Sequence, residues 1–458
     1  MASTVLRRRY SNFLSCVSTR IIYPSSNLGA AYHYQQRRMC IVRSTPRPRM
    51  PPLLVLPPVL NGGNLIYRLY NPVGERIESV SGPIGYRSEL LDSELVGSSH
   101  GWLALFNPLN NCIVLSNPYT HRYIKLPPVH TLPDPEINLT DGRGHVSKVV
   151  LSCCPDEDEE GCRAVMSYGP GDRLAFCRPR RCTQWSPMGH LFFVGYKEEK
   201  FDYAVDYART YEDFTYCRKR KVFSCTTQFE VDLEDWRLAL PTQFEVWDLS
   251  DPCSPKSKLI YWHLLDIEGQ KCPWLEENMD LVKSCRQIPY LVYDDHGDRL
   301  FLVVRFVIQR ACINRPFADV DSIPYDPVSD RLMVHLYPHK TIGFSVVKLD
   351  FQTGPVTRIN GLSRIVGGCG NSLDGLAMFI GMNHSFAVSA AESGLKPNCI
   401  YFTDSNKHQI PLDSIYGGHD IGIFNYENKT LSPCYYPCDV RSYRRIVPTP
   451  MWLTPSAH

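Results

Sequence analysis

Short apolar runs separated by turn residues dominate the chain after residue 50, and helical periodicity is nearly absent there. The clearest runs cover residues 65–70, 112–115, 191–194 and 299–307. Runs this short, bounded by turn signals, are typical of β-strands rather than helices. The pattern therefore predicts an all-β fold.

The segments between these runs hold most of the 36 prolines and 29 glycines, as in Asn71-Pro72-Val73-Gly74. We count about twenty candidate strands, which at four strands per blade gives about five or six blades. We predict a single β-propeller of four-stranded blades. A pair of sandwiches is the alternative, but it needs a domain linker that we do not find. Residues 156–160 and 197–237 interrupt the pattern and are predicted to be long loops or insertions; whether residues 197–237 are ordered stays open.

The first 74 residues contain ten Arg but no Asp, Glu or Lys. A helix over residues 4–20 would align Leu6, Tyr10, Phe13 and Val17 in one apolar stripe. This composition predicts a cleavable, disordered mitochondrial presequence over residues 1–45, followed by a Pro-rich linker over 46–60 and the propeller domain over 61–456. A plastid is the alternative address, and a basic leader without an address would leave the protein in the cytosol or nucleus.

Composition limits the partners that we expect. Hydrophobic residues make up 43% and charged residues 21%, as in globular proteins, and the formal charge of +2 becomes negative once the Arg-rich leader is removed. That balance argues against nucleic-acid binding, and no apolar run is long enough to span a membrane. The 18 cysteines lack the spacing of zinc ligands. We therefore expect a monomer with no bound metal.

Cysteines cluster around the acidic run, at Cys153, Cys154 and Cys162, and again at Cys434 and Cys438. A disulfide or a metal site at these places is an alternative, but a solvated loop is the preferred interpretation.

One segment matches the pattern of a serine-hydrolase nucleophile elbow, GxSxG, with Ser99 as its nucleophile: Gly97-Ser98-Ser99-His100-Gly101. Such an elbow needs a helix after the serine, and here an apolar, strand-like run begins at Trp102. We therefore expect a glycine-flanked turn at the head of a blade strand.

Two further motifs fail similar tests. The glycine cluster at residues 367–370 lacks GxGxxG spacing and predicts a loop, and the basic tetrad at residues 218–221 has acids close by in sequence, which favours a solvated mixed-charge loop. We thus assign no catalytic, cofactor-binding or metal residues and expect no cofactor; the binding residues stay unknown.

The segments around Gly97-Ser98-Ser99-His100-Gly101-Trp102, Leu115-Ser116-Asn117-Pro118-Tyr119 and Asn398-Cys399-Ile400-Tyr401-Phe402-Thr403-Asp404 resemble, in order, those of the plant KIB-type β-propeller family. The resemblance covers roughly residues 60 to 456. It implies a propeller that, in many relatives, follows an F-box and captures substrates for a ubiquitin ligase.

Residues 1–60 do not resemble an F-box, because their many prolines would break its helices. The arrangement resembles the organellar branch of the family, in which a presequence replaces the F-box. We expect a non-enzymatic, protein-binding module with an unknown partner. A substrate receptor of a ubiquitin ligase is the alternative, and a serine hydrolase using Ser99 is a remote one.

Overall fold

Almost all regular structure in the described part of the chain is β-strand. The computed structural model describes residues 50–61, 64–82, 93–132, 146–169, 173–188, 208–230, 243–251, 255–261, 277–278, 285–308, 325–326, 331–332, 339–349, 366–368, 372–404, 417–435 and 445–453. These residues lie in one compact unit, Pro48–His458.

The strands form six blades within these ranges; the last two blades are joined into one nine-stranded sheet by a single parallel bridge between Tyr293 and Phe386. Blade 1 contains β1 (Leu53–Asn61), β2 (Asn64–Asn71) and β3 (Arg76–Ser81). Blade 2 contains β4 (Glu94–Ser99), β5 (Trp102–Asn107), β6 (Cys112–Asn117) and β7 (Arg122–Lys125). Blade 3 contains β8 (Val146–Leu151), β9 (Ala164–Tyr168), β10 (Arg173–Cys177) and β11 (Ser186–Met188). Blade 4 contains β12 (Ala208–Cys217), β13 (Val222–Glu230), β14 (Gln243–Asp248) and β15 (Lys256–Tyr261).

Blade 5 contains β16 (Arg286–Asp294) and β17 (Arg299–Ile308), then β20 (Lys340–Leu349) and β21 (Val366–Gly368); between them β18 (Tyr325–Asp326) and β19 (Arg331–Leu332) form a separate pair. Blade 6 contains β22 (Leu376–Ile380), β23 (Phe386–Ser389), β24 (Cys399–Phe402), β25 (Gly422–Asn425) and β26 (Thr430–Ser432), with the short helix α1 (Ala390–Ser393) after β23. The last strand, β27 (Met451–Leu453), returns to blade 1.

Blade 1 is closed by the two ends of the propeller. β27 pairs antiparallel with β1, with Leu54 opposite Trp452, so the sheet order is β27-β1-β2-β3. β27 thus completes the blade that contains the apolar run at residues 65–70. Closure covers the exposed edges that would otherwise invite aggregation.

Six apolar clusters among the described residues lie between neighbouring blades, one at each of the six junctions around the ring. The strand period of two divides each strand between two clusters. In β1, Leu53 and Val55 pack towards blade 2, whereas Leu54 and Leu56 pack towards blade 6. Because both faces of a blade are covered, strands such as β5 and β17 are continuous buried runs rather than alternating ones.

Blade 6 departs from the predicted pattern of four-stranded blades. β22 pairs antiparallel with β23 and parallel with β24, so this blade has five strands. The parallel pair is reached through the crossover that contains α1. α1 ends at Gly394, whose φ of 68° is the left-handed conformation that glycine adopts without strain.

Three sequence-based boundaries differ from the structure. Residues 53–60, predicted as linker, belong to β1, and its Pro57-Pro58 pair lies where the register to β2 shifts between Leu56 and Val59. Residues 197–237, predicted as an insertion, contain β12 and β13 of blade 4. Residues 367 and 368 of the glycine cluster, predicted as a loop, belong to β21.

The run at residues 191–194 and the residues up to 49 lie outside the described residues. Within those that are described, no helix combines the length and the apolar character that crossing a membrane requires.

Candidate functional site around the propeller axis

The Gly97–Gly101 motif forms the hairpin between β4 and β5. His100 and Gly101 are its two loop residues, with φ of 51° and 81°. Two consecutive residues with positive φ are the signature of a type I′ turn, which matches the twist of the flanking strands. Because β5 follows this turn directly, Ser99 has no helix behind it and the structural context of a nucleophile elbow is not met.

Ser98 and Ser99 end the innermost strand of blade 2, and Ser99 joins that blade to blade 3. Ser99 as a residue is 5% exposed. Its Oγ atom accepts a hydrogen bond from the backbone N–H of Leu151 at 3.2 Å. Leu151 belongs to β8, and a Cβ at Gly97 would collide with the carbonyl of Val149 in the same strand. The glycine and the serine of the motif are therefore explained by close packing between β4 and β8.

His384 lies in the turn between β22 and β23 and connects three blades across the axis. Its backbone N–H donates to the carbonyl of Ser98 in blade 2 at 2.9 Å. Its Nε2 lies 2.8 Å from Oγ1 of Thr215 and accepts from the N–H of Tyr216 at 3.4 Å, both in blade 4. The turn of blade 6 is thus fixed to blades 2 and 4.

A buried ion pair connects the innermost strands of blades 3, 4 and 5. Lys148 Nζ lies 2.5 Å from Oδ1 of Asp213, and Oδ2 of the same carboxylate accepts from the N–H of Leu291 at 2.8 Å. The side chains of Lys148 and Asp213 are 5% and 0% exposed. Removing one partner of such a pair leaves an uncompensated buried charge, so the pair fixes the relative positions of three blades.

The two histidines at the axis are held neutral. Loss of solvent lowers the pKa of His100 to about 4, and the guanidinium of Arg218 adds to the effect. Loss of solvent also lowers the pKa of His384 well below its usual value, assisted by His100 and Lys148. The two rings lie 5.8 Å apart. Both imidazoles are uncharged at neutral pH.

The loops that follow the innermost strands lie on one face of the ring, which we call the inner-loop face. In blades 2 to 5 these are residues 100–101, 152–163, 218–221 and 295–298. Arg218, Lys219 and Lys221 are exposed there. Arg218 acts electrostatically on His100, Cys153 and Asp295, which belong to three other blades.

The acidic run of residues 156–160 is a loop, as predicted, and arginines of blades 2 and 3 hold it. Asp156 pairs with Arg122 at 2.9 Å and with Arg180 at 2.8 Å. Arg181 reaches Glu160 at 2.7 Å. Such exposed pairs stabilise little individually, but together they give the inner-loop face a fixed pattern of both charges.

The basic tetrad of residues 218–221 is the turn between β12 and β13. The prediction of a mixed-charge loop was based partly on Asp213, which lies in the interior against Lys148 instead of beside the tetrad. Of the other acids close by in sequence, Glu212 is half-buried in β12, and Glu198 and Glu199 lie outside the described residues. The acids that act on this region come from the neighbouring turn at residues 295–298.

A second polar cluster lies between blades 5 and 6, and the sequence analysis did not predict it. Arg305 Nη2 lies 2.6 Å from Oδ2 of Asp420, which also accepts from Thr341 N at 2.9 Å. His339 Nε2 lies 2.8 Å from Oδ1 of Asp404. Burial lowers the pKa of His339, but the Asp404 carboxylate outweighs this and raises it overall. In the sequence, the position of Arg305 within the apolar run of β17 could have indicated this cluster, because a buried charge needs a partner.

A cleft beside this cluster, lined by residues such as Lys340, Phe402 and Leu431, has room for about one water molecule. Among the described residues, no three His, Cys, Asp or Glu side chains lie together as metal ligands would.

The fold defines the class of the protein as a β-propeller whose ring is closed by its terminal strands. The sequence profile described as the KIB1-4 beta-propeller matches residues 69–425. The chain belongs to this family.

A search of curated proteins gives no match. One similar solved structure is the dihydro-heme d1 dehydrogenase NirN in complex with DHE, with a TM-score of 0.26, 11% identity and coverage of 90% of this chain and 76% of that one. Another comes from a study of two prolyl endopeptidases, with a TM-score of 0.22, 12% identity and coverage of 66% and 49%. Similarities at this level carry no functional argument.

Proposed function

We propose that the protein is a non-enzymatic binding module of mitochondria that uses the inner-loop face to hold a protein partner. One observation carries the proposal: Ser99, His384, Lys148 and Asp213 are engaged in contacts between blades, whereas the charged turns around them are exposed. Loops fixed on a rigid scaffold are where recognition residues collect.

The charge pattern of this face suits a partner that carries both charges. Arg218 and Lys219 are exposed, and the acidic loop of blade 3 lies nearby with Glu157 and Asp158 exposed. Complementary charge across an interface governs specificity and the rate of association more than it governs affinity. Reversing a few charges on this face is therefore expected to disrupt recognition without disturbing the apolar clusters.

The mitochondrial address rests on the Arg-rich, acid-free sequence of the first 74 residues. A plastid address is the second candidate.

Proximity labelling with the full-length chain, fused at its C-terminus to a biotin ligase, tests the proposal. Wild type is compared with R218E/K219E on the inner-loop face and with K256E/K258E, which changes charge equally on the exposed outermost strand β15. We expect the mitochondrial neighbours of the wild type to be lost in R218E/K219E and kept in K256E/K258E. Identical neighbours in all three proteins would contradict the proposal.

The same experiment distinguishes the alternatives. Labelling of ubiquitin-ligase scaffold proteins in the cytosol or nucleus would favour a substrate receptor. The hydrolase alternative has its own test, because a fluorophosphonate probe would label the wild type and lose that labelling in S99A. We expect no labelling at Ser99.

A further inference from the structure

Cys153 and Cys162 lie directly opposite each other at the base of the acidic loop. The ladder between β8 and β9 pairs Val150 with Val165 and Leu151 with Ala164. It continues beyond the strands, because Ser152 N donates to the carbonyl of Arg163 at 2.9 Å. One further step of the same register brings Cys153 opposite Cys162.

This position is a non-hydrogen-bonded pair of an antiparallel ladder, since the Ser152 and Arg163 pair before it carries the backbone hydrogen bond. Residues in such a pair have Cα atoms about 4.5 Å apart and side chains on the same face. Disulfides span Cα separations of about 4.4–6.8 Å. The proximity of the two side chains is also direct, because Cys162 Sγ donates to the carbonyl of Cys153 at 3.3 Å.

The neighbouring Cys154 is not an equivalent partner. Its side chain packs in the apolar cluster between blades 2 and 3, together with Val149 and Leu151. Cys153 is half-buried and therefore accessible to a small oxidant, whereas Cys162 is fully buried.

The environments of the Cys153 and Cys162 sulfurs differ, and this gives the two sulfurs different reactivity. A hydrogen bond from the Cys162 thiol lowers the pKa of Cys153 against the opposing effect of burial, and Arg218 adds to the lowering. The same hydrogen bond, together with burial, raises the pKa of Cys162. Thiolates rather than thiols are the reactive nucleophiles. Cys153 is thus the attacking sulfur and Cys162 the resolving one.

We propose that Cys153 and Cys162 form a reversible disulfide in response to hydrogen peroxide, closing the base of the acidic loop on the inner-loop face. The Cys153 thiolate attacks one peroxide oxygen: an S–O bond forms, the O–O bond breaks, and the departing hydroxide takes a proton to become water. The Cys162 sulfur then displaces the sulfenic hydroxyl, which leaves as a second water with the Cys162 proton. Two thiols are oxidised by two electrons and one peroxide is reduced. A dithiol reductant reverses the reaction.

Peptide mass spectrometry on the full chain tests this directly. Trypsin cuts after Lys148 and Arg163, so one peptide, residues 149–163, carries Cys153, Cys154 and Cys162. After peroxide treatment and alkylation under denaturing conditions, we expect this peptide to lose two hydrogens and to carry a single alkyl group, on Cys154. Dithiothreitol treatment before alkylation should restore three alkyl groups.

Variants separate the two roles. C162S should accumulate a sulfenic acid at Cys153 that dimedone traps, and C153S should leave Cys162 reduced. C112S, which removes a half-buried cysteine of blade 2, should behave as wild type. In the folded wild type, Cys153 should react with N-ethylmaleimide about tenfold faster than Cys162 or more.

A disulfide between Cys153 and Cys154, three alkyl groups after peroxide, or faster alkylation of Cys162 would each overturn the proposal. The wild-type measurements decide the matter even if C153S does not fold.

Discussion

Trp102, the first residue after the His100-Gly101 turn, is 1% exposed in the apolar cluster between blades 2 and 3. Truncating a buried aromatic side chain typically costs about 3–5 kcal/mol. That is a large part of a domain's stability, roughly 5–15 kcal/mol. We expect W102A to lower the free energy of unfolding by this amount in urea titrations.

Ser99 provides the matched comparison. The S99A variant leaves the N–H of Leu151 without its acceptor. A lost buried partner costs about 1–3 kcal/mol, so S99A should be less damaging than W102A. Equal losses in the two variants would contradict this account of the hairpin.

His100 makes the stability of the fold depend on pH. Its pKa falls to about 4 in the folded protein, so between pH 6.5 and 4 the unfolded chain binds the extra proton. The unfolding free energy should therefore decrease as the pH falls through this range. Because His100 is partly exposed, the contribution is at most about 3 kcal/mol.

H100N tests this claim without straining the backbone, since asparagine readily adopts the positive φ of a type I′ turn. Urea titrations of wild type and H100N at several pH values between 6.5 and 4 should show a shallower dependence in the variant. Parallel curves would mean that His100 is readily protonated in the folded protein.

At the scale of elements, the apolar runs at residues 65–70, 112–115 and 299–307 correctly predicted β2, β6 and β17, because strands covered on both faces are continuous apolar runs. The same signal failed for β12 and β13, where polar residues such as Asp213 are buried in partnerships across blades. β1 was not predicted because Pro57 and Pro58 are unfavourable within a strand; in the structure they lie at the register shift between Leu56 and Val59, which tolerates them. Local composition cannot show which partner satisfies a buried charge.

The candidate site was predictable only in part. The expectation of a turn at the head of a blade strand is confirmed, because β5 begins at Trp102 directly after it; Ser99 itself is the last residue of β4. The roles of Lys148, His384 and Arg305 were not predictable, because their partners lie far away in sequence and meet only when the ring closes.

Closure through β27 leads to a prediction about truncation. Trp452 is fully buried and lies 5.0 Å from Phe379 of blade 6 between ring centroids. Deleting residues 440–458 removes this strand, exposes the edge of β1 and should lower the melting temperature of the whole domain. Deleting residues 1–45 should not. A C-terminal truncation that melts like the intact protein would exclude closure through the termini.

At the scale of the whole molecule, the leader predicts import and cleavage near Arg37-Arg38-Met39-Cys40. An inner membrane that is negative inside attracts positive charge. Replacing Arg7, Arg8, Arg9 and Arg20 by Glu should leave a fluorescent fusion in the cytosol, with the corresponding Arg-to-Lys protein as the control that is still imported. Mitochondrial fluorescence from the Glu protein would defeat the prediction.

The central claim is that the protein works by binding through the inner-loop face and not by catalysis at Ser99. The most direct measurement is complementation of a line lacking the protein by R218E/K219E, K256E/K258E and S99A, each with its melting curve. We predict that R218E/K219E fails to complement while melting like the wild type, whereas K256E/K258E and S99A complement. Loss of function in a stably folded S99A, with R218E/K219E fully active, would contradict the claim.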